Sequence, residues 1–376
     1  MKYHLSIISF VLLLLTYGCN TSVKKGTEEK GFSTVSVRYA RGFTIQRFDK
    51  FIKIVLRNPW DSTKQLDTYI LINRNKPKPE HLPQGKIIKI PVEKVAICTA
   101  VHVGIWRQLG EFSKIKAVCE PNYMELPEIK NGVAKGKIID LGLSTSIDLE
   151  KLISVSPDAL IVSPFENTTY GRLEKTGTPV VQDASYMENS PLGRAEWIKF
   201  EAAFSGKDSL AEQIFTNIEN RYNSLIKIAS KARIKPSVFT EMKYGQVWYV
   251  PGGNSYMAEF LKDAGANYLW SNLPQSGSVP LSFESVYEKA EHADFWLIKY
   301  NNAKLDLTYE NLRNDYQPYS NFKAYQQKNI FAINSAKVRY YDEGPMQPDV
   351  ILADLVRIFH PELLPNYSSK YYFPMK

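Results

Sequence analysis

Cysteine is nearly missing from this chain: 376 residues hold three, Cys19, Cys98 and Cys119. None stands in a C-x-x-C spacing, so a zinc ribbon or a dithiol redox motif is excluded as an organising feature. Histidine is scarce too, with five, and a site that grips a bare metal ion needs several imidazoles and carboxylates converging. The nucleophile elbow G-x-S-x-G, the metalloprotease helix H-E-x-x-H and the P-loop are absent, which removes the commonest hydrolase and nucleotide-dependent classes. The pair Gly252-Gly253 has no lysine after it and reads as a turn into a helix. No apolar run reaches the ~20 residues that span a bilayer, and no long low-complexity tract interrupts the chain.

What is present is the composition of a folded protein, 44% hydrophobic and 23% charged, in a length that supports two domains of ordinary size. Tyrosine and phenylalanine are abundant, at 23 and 18 residues, enough to line a pocket as well as to fill cores. The formal charge is +8, and the basic residues are spread along the chain. Such a bias suits an anionic ligand or membrane surface better than nucleic acid.

The first residues read as a targeting segment. Lys2 gives a positive start, residues 5–15 form a short apolar run, and Thr16-Tyr17-Gly18-Cys19 closes it. Residues 1–18 are expected to be a signal peptide; their loss removes Lys2 alone and leaves +7. A small residue before Cys19 resembles a bacterial lipobox, although threonine stands where leucine is usual. The expectation is a lipidated Cys19, a flexible tether over 19–32, and a chain held in the periplasm by a membrane anchor. An exported chain has no nucleic-acid partner.

Within an N-terminal extension over 33–91, residues 33–73 alternate apolar and polar side chains, as in FTIQRFDKFIKIVL and DTYILI, with turn signals at NPWDS. They read as an antiparallel β extension, followed by the Pro-rich connection 74–86. From 92 the rhythm becomes strand, helix, strand, with VEKVAIC, IKAVC, DALIVSP and PVVQD as strands of a first lobe over 92–207. Short apolar strands alternating with helices imply a parallel sheet covered on both faces. Residues 208–231 carry the strongest helical period: Leu210, Ile214, Ile218, Tyr222, Leu225 and Ala229 share one face, and Asp208 is placed to cap the start. A second α/β lobe over 232–376 follows, with SVFTEM, QVWYV, DFWLIKY and NIFAIN as strands. The fold class is therefore α/β: two parallel-sheet lobes joined by a single long helix, with an N-terminal antiparallel β extension.

Two stretches echo each other, SIDLEKLISVSPDALIV (146–162) and VPLSFESVYEKAEHADFWLI (279–298). In each, an acceptor side chain (Asp148, Ser282) precedes a glutamate (Glu150, Glu284) by two residues. A short helix follows, then an aspartate (Asp158, Asp294) and an apolar strand.

With these paired segments, PVVQD, YVPGGNSYMAEFLKDAGANYLW and IFHPELLP, the chain from about 92 to 364 resembles the periplasmic substrate-binding proteins of ABC importers for iron-siderophore, cobalamin and haem. That resemblance implies a binding protein, not an enzyme, working as a monomer without a cofactor of its own. Its partners would be an ABC permease dimer with ATPase subunits, and its ligand a small-molecule metal chelate. Glu150 and Glu284 match the family's two glutamates that dock into arginine pockets on the permease. A bland alternative is that each only offsets its helix dipole.

Ligands of open α/β sheets bind beyond the carboxyl ends of the strands. Tyr123, Phe165, Tyr186, Trp248, Tyr300 and Tyr340 are expected there as aromatic faces for a partly apolar chelate, with Arg339 as the one cation for a carboxylate or catecholate. No protein residue is assigned to metal, and His102, at a strand end, reads as a polar loop residue. A ferric siderophore is the expected ligand, with cobalamin or haem as alternatives. From another class stand an exported enzyme and a capture lipoprotein without a permease, and neither has a use for two matched glutamates.

Overall fold

A computed structural model describes residues 31–376. The signal segment, the lipidation site Cys19 and most of the tether lie outside the described residues. In the N-terminal lobe five parallel strands stand in the order Val180–Gln182, Ala159–Val162, Val95–Ile97, Ile115–Val118, Ile139–Asp140. The first three are buried along their whole length, as uninterrupted apolar runs covered on both faces must be. The C-terminal lobe repeats the plan with Asn267–Tyr268, Ser237–Thr240, Phe295–Tyr300 and Ile330–Asn334 in parallel. The short Phe373–Pro374 closes its edge antiparallel.

The echoed aspartates have one structural task. Asp158 Oδ2 accepts from the backbone N–H groups of Glu93 (2.8 Å) and Lys94 (3.1 Å), just before a central strand. Asp294 Oδ2 accepts from Ser237 N (2.8 Å) at the start of the equivalent strand in the other lobe. Each satisfies donors that the sheet leaves open at its amino end.

The joining helix runs Asp208–Ala229, 22 residues or roughly 33 Å. Its buried stripe is Ala211, Phe215, Ile218, Tyr222 and Ala229, so Leu210, Ile214 and Leu225 lie at the margin of the expected face. Asp208 does not cap it. Lys207 holds the cap position without a side-chain bond, and Asp208 instead pairs with Arg47.

The β extension is a five-stranded sheet, antiparallel except where Gln65–Asn73 and Lys86–Ile90 run parallel. It is fused to the N-terminal lobe. Phe43, Ile45, Ile54, Leu56, Tyr69 and Ile88 share one core with Trp106, Trp197, Phe200 and Phe204. Gly42 passes so close to Trp197 that a Cβ there would meet the indole at 2.5 Å.

Candidate ligand cleft between the lobes

A cavity of about 290 Å³ opens between the lobes. The N-terminal lobe supplies Tyr186 and Glu188 from the segment after its edge strand, and the C-terminal lobe supplies Glu241, Ser255, Tyr256 and Lys299. Glu241 directly follows Ser237–Thr240, and Lys299 is the penultimate residue of Phe295–Tyr300. Both therefore stand at carboxyl ends of parallel strands, where open sheets hold ligands.

Charge is concentrated on one wall. Lys299 Nζ lies 3.5 Å from Glu241 Oε1, and each side chain is about a quarter exposed, 24% and 25%. Glu241 has a positive φ of 68°, unusual for a residue with a Cβ, and such strain gathers at functional positions. Its backbone is pinned there, because its N–H donates to Leu297 O and its carbonyl accepts from Trp296 Nε1. The Arg194 guanidinium lies 5.1 Å from the Tyr256 ring centroid, and its Nε is buried without a partner. Burial alone would push the Tyr256 hydroxyl up, but the cations Lys299 and Arg194 outweigh it and hold it below the usual tyrosine value. The Lys299 ammonium and the Tyr256 hydroxyl, both able to donate, make this wall receptive to anionic oxygen. Glu188 is spoken for: its Oε1 accepts from Arg41 N, Gly42 N and Trp197 Nε1, each at 2.9 Å.

The expected site residues divide. Tyr186 lines the cavity, with its hydroxyl donating to Pro164 O at 2.6 Å. Tyr340 is buried beside Tyr256 and Arg194 in an adjoining crevice. Tyr123 and Phe165 are surface residues, 76% and 55% exposed, and Tyr300 packs on the C-terminal core, its hydroxyl accepting from Leu307 N. Trp248 is a correction. It has no exposure, its Nε1 donates to Thr240 O at 2.9 Å, and it packs on Trp296 within the C-terminal core, so no ligand can reach it. Arg339 is another: it precedes the short helix Tyr340–Glu343 and pairs with Glu343 at 3.3 Å, and the cation lining the cavity is Lys299, with Arg194 in the adjoining crevice.

Glu150 and Glu284 occupy equivalent positions. Each is exposed, second in its helix (Leu149–Val155, Phe283–Ala290), and follows a cap whose side chain accepts a backbone N–H: Asp148 from Lys151 N and Ser282 from Ser285 N. Neither makes a salt bridge among the described residues.

The periplasmic binding protein family matches residues 95–336 of this chain. It belongs to that family. An uncharacterized lipoprotein of Methanocaldococcus jannaschii is 26% identical over 369 residues, covering 92% of this chain and 86% of the relative. Among solved structures, a periplasmic haem-binding protein of Pseudomonas aeruginosa superposes with a TM-score of 0.58 at 17% identity, covering 76% of this chain and 98% of its own. A protein of an Fe3+-hydroxamate transport system from Saccharomonospora viridis gives 0.54 at 16% identity, covering 72% and 94%. These likenesses establish a shared fold.

In this periplasmic binding protein, sequence reasoning missed Glu241, Lys299, Arg194 and Tyr256. A signal for the first two was present, a lone charge at the carboxyl end of an apolar strand in VFTE and WLIK. Arg194 and Tyr256 sit near helix starts, and nothing local marks them. His102 is another correction: it is a buried residue of the helix Ala100–Gln108, not a loop residue.

Proposed function

We propose that this periplasmic binding protein captures an anionic metal chelate, of the ferric siderophore class, between its lobes. The observation that carries the reading is the cavity wall built from Lys299 and Tyr256, with Arg194 beside Tyr256 in the adjoining crevice. Such a wall recognises carboxylate, hydroxamate or catecholate oxygens by charge-assisted hydrogen bonds. The carboxylates at the cavity are already engaged, Glu188 by N–H donors and Glu241 by Lys299, so the chelator supplies the metal ligands and the protein supplies charge and aromatic contact. A cavity of about 290 Å³ sits at the low end of ligand sites (~300–1,000 Å³). It suits a compact chelate, whereas haem or cobalamin needs the lobes further apart.

The delivery half of the proposal rests on Glu150 and Glu284, each free to meet an arginine pocket on one half of an ABC permease dimer driven by ATPase subunits. Lipidation at Cys19 would keep the protein at the membrane, in keeping with the lipoprotein relative. Titration of wild type and Lys299→Ala with a ferric hydroxamate, haem and cobalamin, followed by quenching of intrinsic fluorescence, tests the ligand class. Loss of the cation is expected to weaken the ferric chelate by about 10- to 150-fold, as for a charged hydrogen bond of ~1.5–3 kcal/mol, while Arg339→Ala has little effect. If cobalamin alone binds, and equally to both proteins, the chelate reading is wrong.

A further inference from the structure

We propose that His102, Asp183 and Glu201 form a buried site for a resident divalent metal ion, with zinc the best-matched ion, inside the N-terminal lobe. The three come from separate elements: the helix Ala100–Gln108, the residue after the strand Val180–Gln182, and the helix Ile198–Ser205. Their exposures are 1%, 0% and 0%. One ligand atom of each lies within 4.8 Å of the others, and His102 Nε2 is 3.5 Å from Asp183 Oδ1.

A second observation points into the same spot. His102 Nδ1, Asp183 Oδ2, both carboxylate oxygens of Glu201 and the indole Nε1 of Trp106 are all buried without a hydrogen-bond partner. One unpaired buried polar group costs about 1–3 kcal/mol, and native interiors hold few of them. The indole N–H can only donate, toward Glu201, but the other four atoms belong to side chains able to ligate a cation, and together they call for a partner that is not a side chain. With both carboxyls ionised the three side chains would carry two negative charges into the interior, and a divalent cation would cancel both. One nitrogen and two oxygens are ordinary first-row donors, and three protein ligands with a fourth open position are a common zinc arrangement.

The ion is distinct from the cargo in the cleft. It would bind while the chain folds, because the site is sealed afterwards. It would also brace the segment that begins at Asp183 and reaches the cleft at Tyr186. Sequence spacing gave no warning, since positions 102, 183 and 201 meet only in the fold.

The test uses the full chain expressed in zinc-replete medium, dialysed against EDTA to strip surface ions, and measured for metal by mass spectrometry. A stoichiometric amount of zinc is expected in wild type and a several-fold lower content in Glu201→Gln and His102→Gln. Unfolding in guanidinium with chelator should release it. Refolding with zinc rather than chelator should raise Tm by roughly 5 °C or more, as for a tightly bound ligand. Metal-free wild type whose refolded Tm ignores zinc would overturn the proposal and leave a network that shares protons. A stripped protein that loses zinc on dialysis with unchanged Tm would count against it equally, whatever becomes of chelate binding in the cleft.

Discussion

Each lobe clasps one end of the described chain with a fully buried carboxylate, and the two clasps are balanced differently. In the N-terminal lobe Glu196 accepts from the backbone N–H groups of Arg38, Tyr39 and Ala40 at 2.7–3.0 Å, tying down the strap that leads into the extension. In the C-terminal lobe Asp354 accepts from those of Lys370, Tyr371 and Tyr372 at 2.6–3.0 Å, with the Tyr367 hydroxyl at 2.7 Å. Both carboxylates have no exposure. Glu196 has the buried ammonium of Lys199 at 3.1 Å, whereas Asp354 makes no salt bridge among the described residues. Burial pushes the Asp354 carboxyl up, and its four donors only partly oppose it. The same device is an ion pair in one lobe and a solvation shell of donors in the other.

Glu196→Gln breaks this comparison most severely. It keeps the shape but takes the buried anion away from a buried lysine, which retains only the Ser36 carbonyl and the half-exposed Glu212. A broken buried pair typically costs ~3–5 kcal/mol, and about 3 kcal/mol is expected here by guanidinium unfolding. The extension shares the core of that lobe, so strap and lobe should unfold together. A separate early transition for the extension would contradict the shared core.

The joining helix offers a pH-dependent version of the same contrast. Toward the N-terminal lobe, Glu219 meets Arg38 at 2.6 Å and the Tyr39 hydroxyl at 2.8 Å. Toward the C-terminal lobe, Tyr222 donates to Asp263 at 2.8 Å, and burial pushes that carboxyl up to about 6. A carboxyl raised in the folded state binds its proton more tightly there. Its contribution is full below about pH 4 and is lost as pH rises through about 6. The loss is on the order of 2–3 kcal/mol. Tm should therefore fall between pH 4 and 6 more steeply in wild type than in Asp263→Asn. Parallel curves would show that Asp263 is not held protonated.

Asp354→Asn should matter least of the three. The amide keeps one acceptor, and no cation is stranded. A loss of about 1–2 kcal/mol is expected, because the amide nitrogen faces two of the four donors and cannot accept from them. A loss as large as that of Glu196→Gln would mean that the buried lysine is not what separates the two clasps.

Much of this architecture was legible in the sequence, and its limits were geometric. Both lobes, the long helix and the caps Asp148 and Ser282 follow from local periodicity and capping chemistry. The aromatic wall did not, because QVWYV alternates with period two and cannot say which face is inward. Trp248 turned into the core and Tyr249 outward, at 44% exposure. Arg339 was misplaced because a helix starts where a strand end was expected. The fusion of the extension depends on Glu188 and Glu196, about 150 residues distant from the backbone they hold, and no short-range pattern reports such a contact.

The smallest effect on the protein itself is expected where the lobes are most alike. Glu150 and Glu284 are exposed, lie two residues beyond matched caps, and have no ion-pair partner among the described residues. The Glu284 carboxyl is held below its usual value first by a backbone hydrogen bond at its own helix start and then by Ser282, a local effect that binds no other element. Charge reversal to arginine at both positions should lower the unfolding midpoint only slightly, as for first-turn charges worth ~0.3–1 kcal/mol each, and leave the chelate affinity within error of wild type, because neither side chain lines the cavity. Uptake of a radiolabelled ferric chelate by cells carrying the double variant should fall to background, with each single variant between. Equal uptake by wild type and double variant would end the docking role and leave both glutamates as ordinary first-turn residues; lost chelate affinity would show instead that the helix starts reach the cleft.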